Sequence, residues 1–402
     1  MAGKALAGVK VVEYCEMVAG PYCAKLLADL GAEVIKVEKP GLGDGARRRG
    51  PYLGDIPHPE RSGLFLYLNT SKLGLSLNME TATGRAIFRK LVAEADLLVE
   101  DRPPGELDEM GLGYQALSRV NPGLIITSIT PFGQTGPYRR YNAYHLNIFH
   151  ASGAGYLLPS GSPNLEREPI KGPGFIGDYD SGLMAAVATL GALYARWVTG
   201  QGQQVDVSKQ EAIMNLDRIE LSRYPQDGQL PTRVPAWRMV GGLMPSKDGH
   251  VVISCARDHH WMGLAELLGN PEWALAEHAR DESLRRGHYD DLQPRLVEWA
   301  KDQAGQEVFH GAQVKGCPAA PVNTPQDMMD SPQIKARGFF VELEHAAAGR
   351  ISYPSAAYQF SQTPWSAPRP APLLGEHNDW ILCGRLGFSR EELVRLRGAG
   401  II

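Results

Sequence analysis

The 402-residue chain has only five cysteines (Cys15, Cys23, Cys255, Cys317 and Cys383), none in a CxxC spacing. That excludes a disulfide framework and a zinc site of the usual ligand spacing. No metal is expected. The opening residues, Met1 to Gly8, lack the apolar stretch of a signal peptide. No run approaches the ~18 apolar residues of a membrane span. The formal net charge of −4 supplies no field to recruit nucleic acid. GxxxxGK[ST], HExxH and GxSxG are all absent, which removes the sequence basis for a P-loop ATPase, a zinc protease or an α/β-hydrolase. These absences predict a cytoplasmic protein with neither a nucleic acid nor a membrane as partner.

What is present fits a globular chain, 43% hydrophobic and 21% charged, long enough for two or three domains. The first part alternates strand and helix patterns. Val9–Tyr14, Glu33–Glu38, Asp96–Glu100 and Leu124–Ile129 read as strands, and Pro21–Leu30, Thr81–Glu94 and Tyr114–Arg119 as helices. Repeated strand–helix–strand units predict a parallel sheet covered on both faces. Asp180–Val198 reads as a long helix, apolar around most of its surface and therefore buried. The character changes after about residue 225. Pro225–Trp237 is a connector, His250–Cys255 a strand, and Asp258–Leu268, Pro271–His278 and Leu292–Ala304 are helices. Short strands, a Pro-rich segment at Thr363–Pro372 and a final helix at Glu391–Arg397 follow. The predicted organisation is an α/β large domain over 1–225 and 325–402, with a smaller α+β domain over 226–324.

The most informative segment is Gly177-Asp178-Tyr179-Asp180-Ser181-Gly182. It puts a carboxylate between glycines where an apolar helix begins. Unpaired N–H groups and partial positive charge at a helix N-terminus favour an anion there. Glycines leave the space above the carboxylate open, as a nucleophile attacking an acyl group requires. The alternative is that Asp178 or Asp180 merely caps the helix. His145 and His150 lie some thirty residues upstream and are candidate acid–base groups, with ordinary structural histidines as the alternative. Gly41-Leu42-Gly43-Asp44-Gly45 suggests a phosphate loop, but its spacing is not GxGxxG. Arg47, Arg48 and Arg49 follow it, either as phosphate contacts or as a solvated charged face.

Several segments in order resemble one family. They are Val18-Ala19-Gly20-Pro21, Leu30–Glu38, Leu68–Lys72, Thr130–Pro137, Gly177-Asp178, Thr199–Val207, Pro318–Asn323 and Pro372–His377. Together they resemble the class III CoA-transferases, the formyl-CoA transferase and carnitine CoA-transferase family. The resemblance implies a Rossmann-like large domain split in sequence around a small one, in an interlocked homodimer. It implies Asp178 as the catalytic nucleophile and coenzyme A or acyl-CoA as substrate, with no tightly bound cofactor. It places Val18 and Ala19 along the thiol channel, and Lys39, Asn69 and Lys72 near the nucleotide. The family's Val-Glu-Asn-Phe-Arg-Pro-Gly is here Val99-Glu100-Asp101-Arg102-Pro103-Pro104-Gly105, so Arg102 is expected to stack on the adenine in place of the aromatic.

The implied reaction moves CoA from an acyl-CoA donor to a free carboxylic acid through an aspartyl anhydride and an aspartyl-CoA thioester. Backbone amides near Gly177 are the expected oxyanion donors. The glycine-containing segments Ser152–Gly155 and Pro159–Gly161 are expected as mobile cover. Tyr144, His145, His150 and Tyr179 are expected to face the acyl pocket. The rival reading is an α-methylacyl-CoA racemase with Asp178 and His145 as acid and base. However, His145 falls one place beyond the racemase histidine.

Overall fold

A computed structural model describes residues 3–161, 164–216, 218–230, 232–233, 239–365 and 369–402. Residues 231 and 234–237 of the expected connector, and 366–368 of the Pro-rich segment, lie outside the described residues. The chain divides into two compact units: Met1–Pro159 with Arg167–Arg233 and Gly338–Ile402, and Ser160–Glu166 with Val234–Arg337.

The first unit is built on six parallel strands: β1 (Lys10–Tyr14), β2 (Glu33–Glu38), β3 (Lys72–Ser76), β4 (Leu97–Glu100), β5 (Ile125–Thr130) and β6 (Gln204–Ser208). Their order is β3-β2-β1-β4-β5-β6. Val11 of β1 pairs with Val34 on one side and Leu97 on the other. Alternation along these strands divides the apolar residues between two cores. Val12, Ile35, Leu75 and Ile126 meet Phe88 and Leu91 of the helix Ala82–Ala93. Val11, Val34, Leu97 and Ile125 meet α1 (Ala19–Asp29) and the long helix Ile176–Thr199. Apolar runs buried on both faces are what a parallel sheet demands. Two of the six strands, β3 and β6, were not anticipated as strands. Gly74 breaks the apolar run of β3, and β6 opens on exposed, polar residues.

The second unit has its own antiparallel sheet, β7 (Gly241–Ser246), β8 (Gly249–Ser254) and β9 (Ala319–Pro321). Its core centres on fully buried Trp261, whose indole N–H donates to the Ala274 carbonyl at 2.8 Å. The single helix expected over Pro271–His278 is two short ones, Glu272–Leu275 and Glu277–Arg280, separated by extended Ala276. The tail returns to the first unit as the hairpin β10 (Phe340–His345) and β11 (Gly349–Pro354).

Across β1, β2 and the first residue of β3 lies a buried ionic network. Glu13 meets Lys36 at 2.8 Å and Lys72 at 2.7 Å, all three fully enclosed. Lys36 also meets Asp44 at 2.8 Å. The other Asp44 oxygen accepts the N–H of Met17 and of Ala46. Burial drives the Lys72 pKa down to about 8, against the pull of Glu13. Burial alone would raise Asp44, but Lys36 and the two amides hold it below the usual carboxylate range. The expected phosphate loop is therefore closed: Asp44 faces inward on Lys36. Arg47 is likewise no phosphate ligand. It is buried against Glu38 and Glu60 and lies over the Phe65 ring at 3.7 Å.

Glu13→Gln leaves two enclosed ammoniums short of one negative charge. A loss of about 3–5 kcal/mol in urea unfolding is expected, and a loss below about 1 kcal/mol would show that the network does not hold the strands. A Cβ at Gly182 would sit 2.5 Å from the Ala19 carbonyl oxygen. Gly182→Ala should therefore destabilise by about 1–3 kcal/mol, although alanine favours a helix interior by about 1 kcal/mol. A stabilised variant would refute this close packing of α1 on the long helix.

Candidate active site

β1 and β4 are neighbours whose onward connections lead to opposite sides of the sheet. Ligands bind doubly wound sheets at such a switch point, beyond the carboxyl ends of the strands. A cleft of about 640 Å³ opens there. Glu16, Met17 and Val18 line it from the β1 end, Asp101 and Arg102 from the β4 end, and Pro131 follows β5. Met17 adopts φ 67°, and its N–H donates to Asp44 at 2.9 Å. The buried network thus fixes the loop that forms one wall. A neighbouring hollow of about 240 Å³, lined by Lys39, Asn78 and Glu80, shares Glu16 and Arg102 with the cleft.

Asp178 lies in this cleft, 8% exposed. It occupies the first turn of the long helix, which begins at Ile176 rather than at the expected Asp180. Neither Asp178 nor Asp180 caps the helix; Phe175 is the N-cap and no side chain bonds there. The Asp178 carboxylate instead accepts from Lys209 Nζ at 2.9 Å, with both side chains mostly enclosed. Lys209 is the first residue of the helix Lys209–Met214, which Ser208 caps at the end of β6. Sequence reasoning missed this lysine. The available signal was its place directly after Val205-Asp206-Val207-Ser208, a strand ending at the same sheet edge.

The backbone amides expected to bind an oxyanion are already engaged. The Gly177 N–H donates to His145 Nε2 at 3.1 Å. The N–H groups of Ile176, Asp178 and Tyr179 donate to the carbonyls of Pro173, Phe175 and Phe175. Of these four, none is left for a ligand. Because an amide can only donate, His145 Nε2 must be unprotonated and the ring neutral, with its proton on Nδ1. Burial lowers the His145 pKa, outweighing the opposite pull of Asp178.

The other expected residues divide. Tyr144 and His145 line the cleft. His150 does not: its ring packs beside Gly155. Tyr179 turns away to Tyr22 and Tyr67, with ring centroids 4.9 and 6.4 Å away, and burial lifts its pKa to about 12. Val18 is a wall of the cleft, whereas Ala19 sits behind it under Gly182. Asn69 and Lys72 are buried and satisfied from within, Lys72 by Glu13, the Pro21 carbonyl and Asn69. They support the site from below and present no donor to a nucleotide. Lys39 is exposed and pairs with Glu80 at 2.7 Å. Arg102 is not free to stack on a base. Its guanidinium binds Asp101 at 2.7 Å and Glu16 at 3.3 Å and lies over the Tyr14 ring at 4.9 Å. Neither Ser152–Gly155 nor Pro159–Gly161 lines the cleft. Among the described residues, the guanidiniums of Arg49, Arg139 and Arg140 line it without an ion pair or hydrogen bond.

Known proteins resemble this chain over nearly its whole length. The chain is 34% identical to the succinyl-CoA–L-malate CoA-transferase alpha subunit of Chloroflexus aurantiacus, over 99% of this chain and 92% of that protein. It is 30% identical to the formyl-CoA:oxalate CoA-transferase of Rhodopseudomonas palustris, over 99% and 97%. The crystal structure of a CAIB/BAIF family protein from Brucella suis superposes with a TM-score of 0.84 at 32% identity, covering 95% of this chain and 99% of that one. The sequence profile of CoA-transferase family III matches residues 6–378, and the chain belongs to that family.

Proposed function

We propose that the protein moves CoA from an acyl-CoA to a free carboxylic acid with Asp178 as covalent nucleophile. The observation that carries this reading is the mostly enclosed Asp178 carboxylate at the switch-point cleft, held by Lys209. The carboxylate attacks the thioester carbonyl, the C–S bond breaks, and CoA leaves as thiolate. A mixed anhydride remains. The thiolate then attacks the Asp178 carbonyl carbon, giving an aspartyl-CoA thioester and releasing the donor acid as carboxylate. The acceptor acid follows the same steps in reverse. Each bond change trades one nucleophile for one leaving group, so no proton enters or leaves. Splitting the exchange this way lowers each barrier, and enclosure keeps water from the anhydride.

CoA carries several phosphate charges. The unpaired guanidiniums of Arg49, Arg139 and Arg140 suit those groups. Lys39, in the adjoining hollow, suits the nucleotide end if it gives up Glu80. The names of the Chloroflexus and Rhodopseudomonas relatives join dicarboxylic acids to CoA. We extend that class to this chain, with Lys171 as a second cation in the same cleft.

A homodimer belongs to the same proposal. The long helix is apolar and long enough to span a membrane by length and composition alone. One face is covered by α1 and the sheet. The other leaves Leu183, Val187, Tyr194, Trp197 and Val198 half exposed or more, which corrects the expectation of a fully buried helix. Such a stripe calls for a partner surface, and a second copy of the chain supplies one.

One observation favours the racemase reading: His145 and Asp178 line one cleft, and the Asp178 charge pulls the His145 pKa upward against burial. Against it, His145 Nε2 is occupied by the Gly177 amide. Incubation of an α-methylacyl-CoA in deuterated water separates the two. Transfer predicts no α-deuterium without an acceptor; uptake at turnover rates would favour the racemase.

Asp178→Ala should lower transfer at least about 10⁴-fold while CoA still binds. Near-normal turnover would end the nucleophile assignment. Hydroxylamine added during turnover should leave a hydroxamate on Asp178, read by peptide mass spectrometry. In a panel pairing succinyl-CoA and formyl-CoA with L-malate, oxalate, acetate and butyrate, the dicarboxylates should be the better acceptors. Faster transfer to acetate or butyrate would overturn the substrate class.

A further inference from the structure

We propose that Lys209 is a catalytic residue: the fixed counter-ion that follows the reaction's single negative charge and docks the carboxylate of the exchanged acid. The proposal rests on Asp178 being the nucleophile.

The argument is a count of charge. In the resting site the charge is on Asp178, and Lys209 Nζ lies 2.9 Å from its Oδ1. Once Asp178 is acylated it is neutral. The charge is then on the CoA thiolate, and after the thiolate attacks, on the departing donor carboxylate. An acceptor must bring in its own carboxylate while Asp178 is still a thioester. In every covalent state Lys209 has lost its partner, yet it remains next to the atoms that react. A mostly enclosed ammonium without a counter-ion is costly. The site therefore favours whichever species puts an anion back beside Lys209: a tetrahedral oxyanion at the Asp178 carbon, or a free carboxylate at the same place.

Two observations point to this residue rather than to the backbone. The N–H groups of residues 176 to 179 are all spent within the chain, so the first turn around Asp178 has none of these four amides to offer the oxyanion. Lys171, another cation lining the cleft, already gives two N–H bonds to the carbonyls of Gly172 and Gly174. Among the described residues, the Lys209 ammonium has one hydrogen bond, and it is to the reacting group itself. An ammonium carries three N–H donors. While one holds an Asp178 oxygen, another remains for the incoming carboxylate, so reacting acid and nucleophile are brought onto one point. Ser208 capping and the preceding β6 fix the start of that helix, so the ammonium needs little reorganisation between states.

The test uses Lys209→Met and Lys209→Arg in the full chain, with succinyl-CoA as donor and the best acceptor of the panel above. Lys209→Met keeps an unbranched side chain one atom shorter and removes the charge. Its kcat should fall about 100-fold, the usual effect of losing one oxyanion donor, and its KM for the acceptor acid should rise about tenfold. CoA affinity and the thermal midpoint should stay near those of the parent. Lys209→Arg, which restores charge and donors, should recover most of the acceptor KM. Methionine and arginine variants equally impaired in kcat alone, with acceptor KM unchanged, would mark a purely structural role. A methionine variant within twofold of the parent in both constants would overturn the proposal outright. Peptide mass spectrometry of the parent keeps the two readings apart. If no Asp178 adduct forms in the unaltered enzyme, the nucleophile assignment fails; if it forms and Lys209→Met is unimpaired, only the role of Lys209 fails.

Discussion

The enclosed cluster of Glu13, Lys36, Lys72 and Asp44 is the constraint on which the site depends. Its two positive and two negative charges balance, so no net charge is buried. It ties the later halves of β1 and β2 to the start of β3 and, through Asp44, takes hold of the Met17 amide. Met17 has a left-handed backbone, which a non-glycine residue keeps only when its surroundings insist. That conformation places Glu16 to Val18 as one wall of the cleft. Charges that resemble nucleotide ligands in the sequence are thus committed beneath the site. Their function is to hold its shape.

The long helix sets a second constraint. Its early start puts Asp178 in a first turn whose amides are occupied by His145, Pro173 and Phe175. A helix N-terminus ordinarily stabilises an anion with free N–H groups. Here the donor facing the carboxylate is an ammonium from another element, the helix after β6. The difference matters chemically. Backbone amides stay in one place and hold one oxygen, whereas a lysine head can turn between neighbouring oxygens at small cost. A carboxylate that is acylated and then released, as proposed for Asp178, suits the second kind of partner.

How far the sequence could be read follows from which interactions are local. β1, β2, β4 and β5 are legible because each is a compact apolar run bounded by turn residues. The helix that carries Asp178 is legible as a long apolar run, but its start at Ile176 is not, since no side chain caps it. Lys209 is not, since its meaning depends on β6 lying beside β5, a pairing between residues about eighty positions apart. Arg47 and Lys72 mislead for the same reason. A charged residue in a sequence is most often solvated, and only the fold shows that Glu38 and Glu13 reach them. Arg102 is the subtler case. The sequence predicts that it stacks on an adenine, but the ring it covers is Tyr14 of its own chain.

A reactive group at the end of a helix is only as well placed as the helix. Within the chain, Gly182, Ala185, Ala186 and Leu193 seat the inner face, and Gly182 brings α1 to backbone contact. That contact ties Asp178 to the Val18 wall, because Ala19, the residue touching Gly182, is the first of α1. Among the described residues, the outer face, from Leu183 to Val198, has no such support within its own chain. Covering it in the proposed dimer would fix the axis from both sides and would remove a large apolar surface from water. Assembly and chemistry would then be coupled through one element. Loss of the partner would be felt at Asp178 as a change in position, even though none of the outer-face side chains lines the cleft.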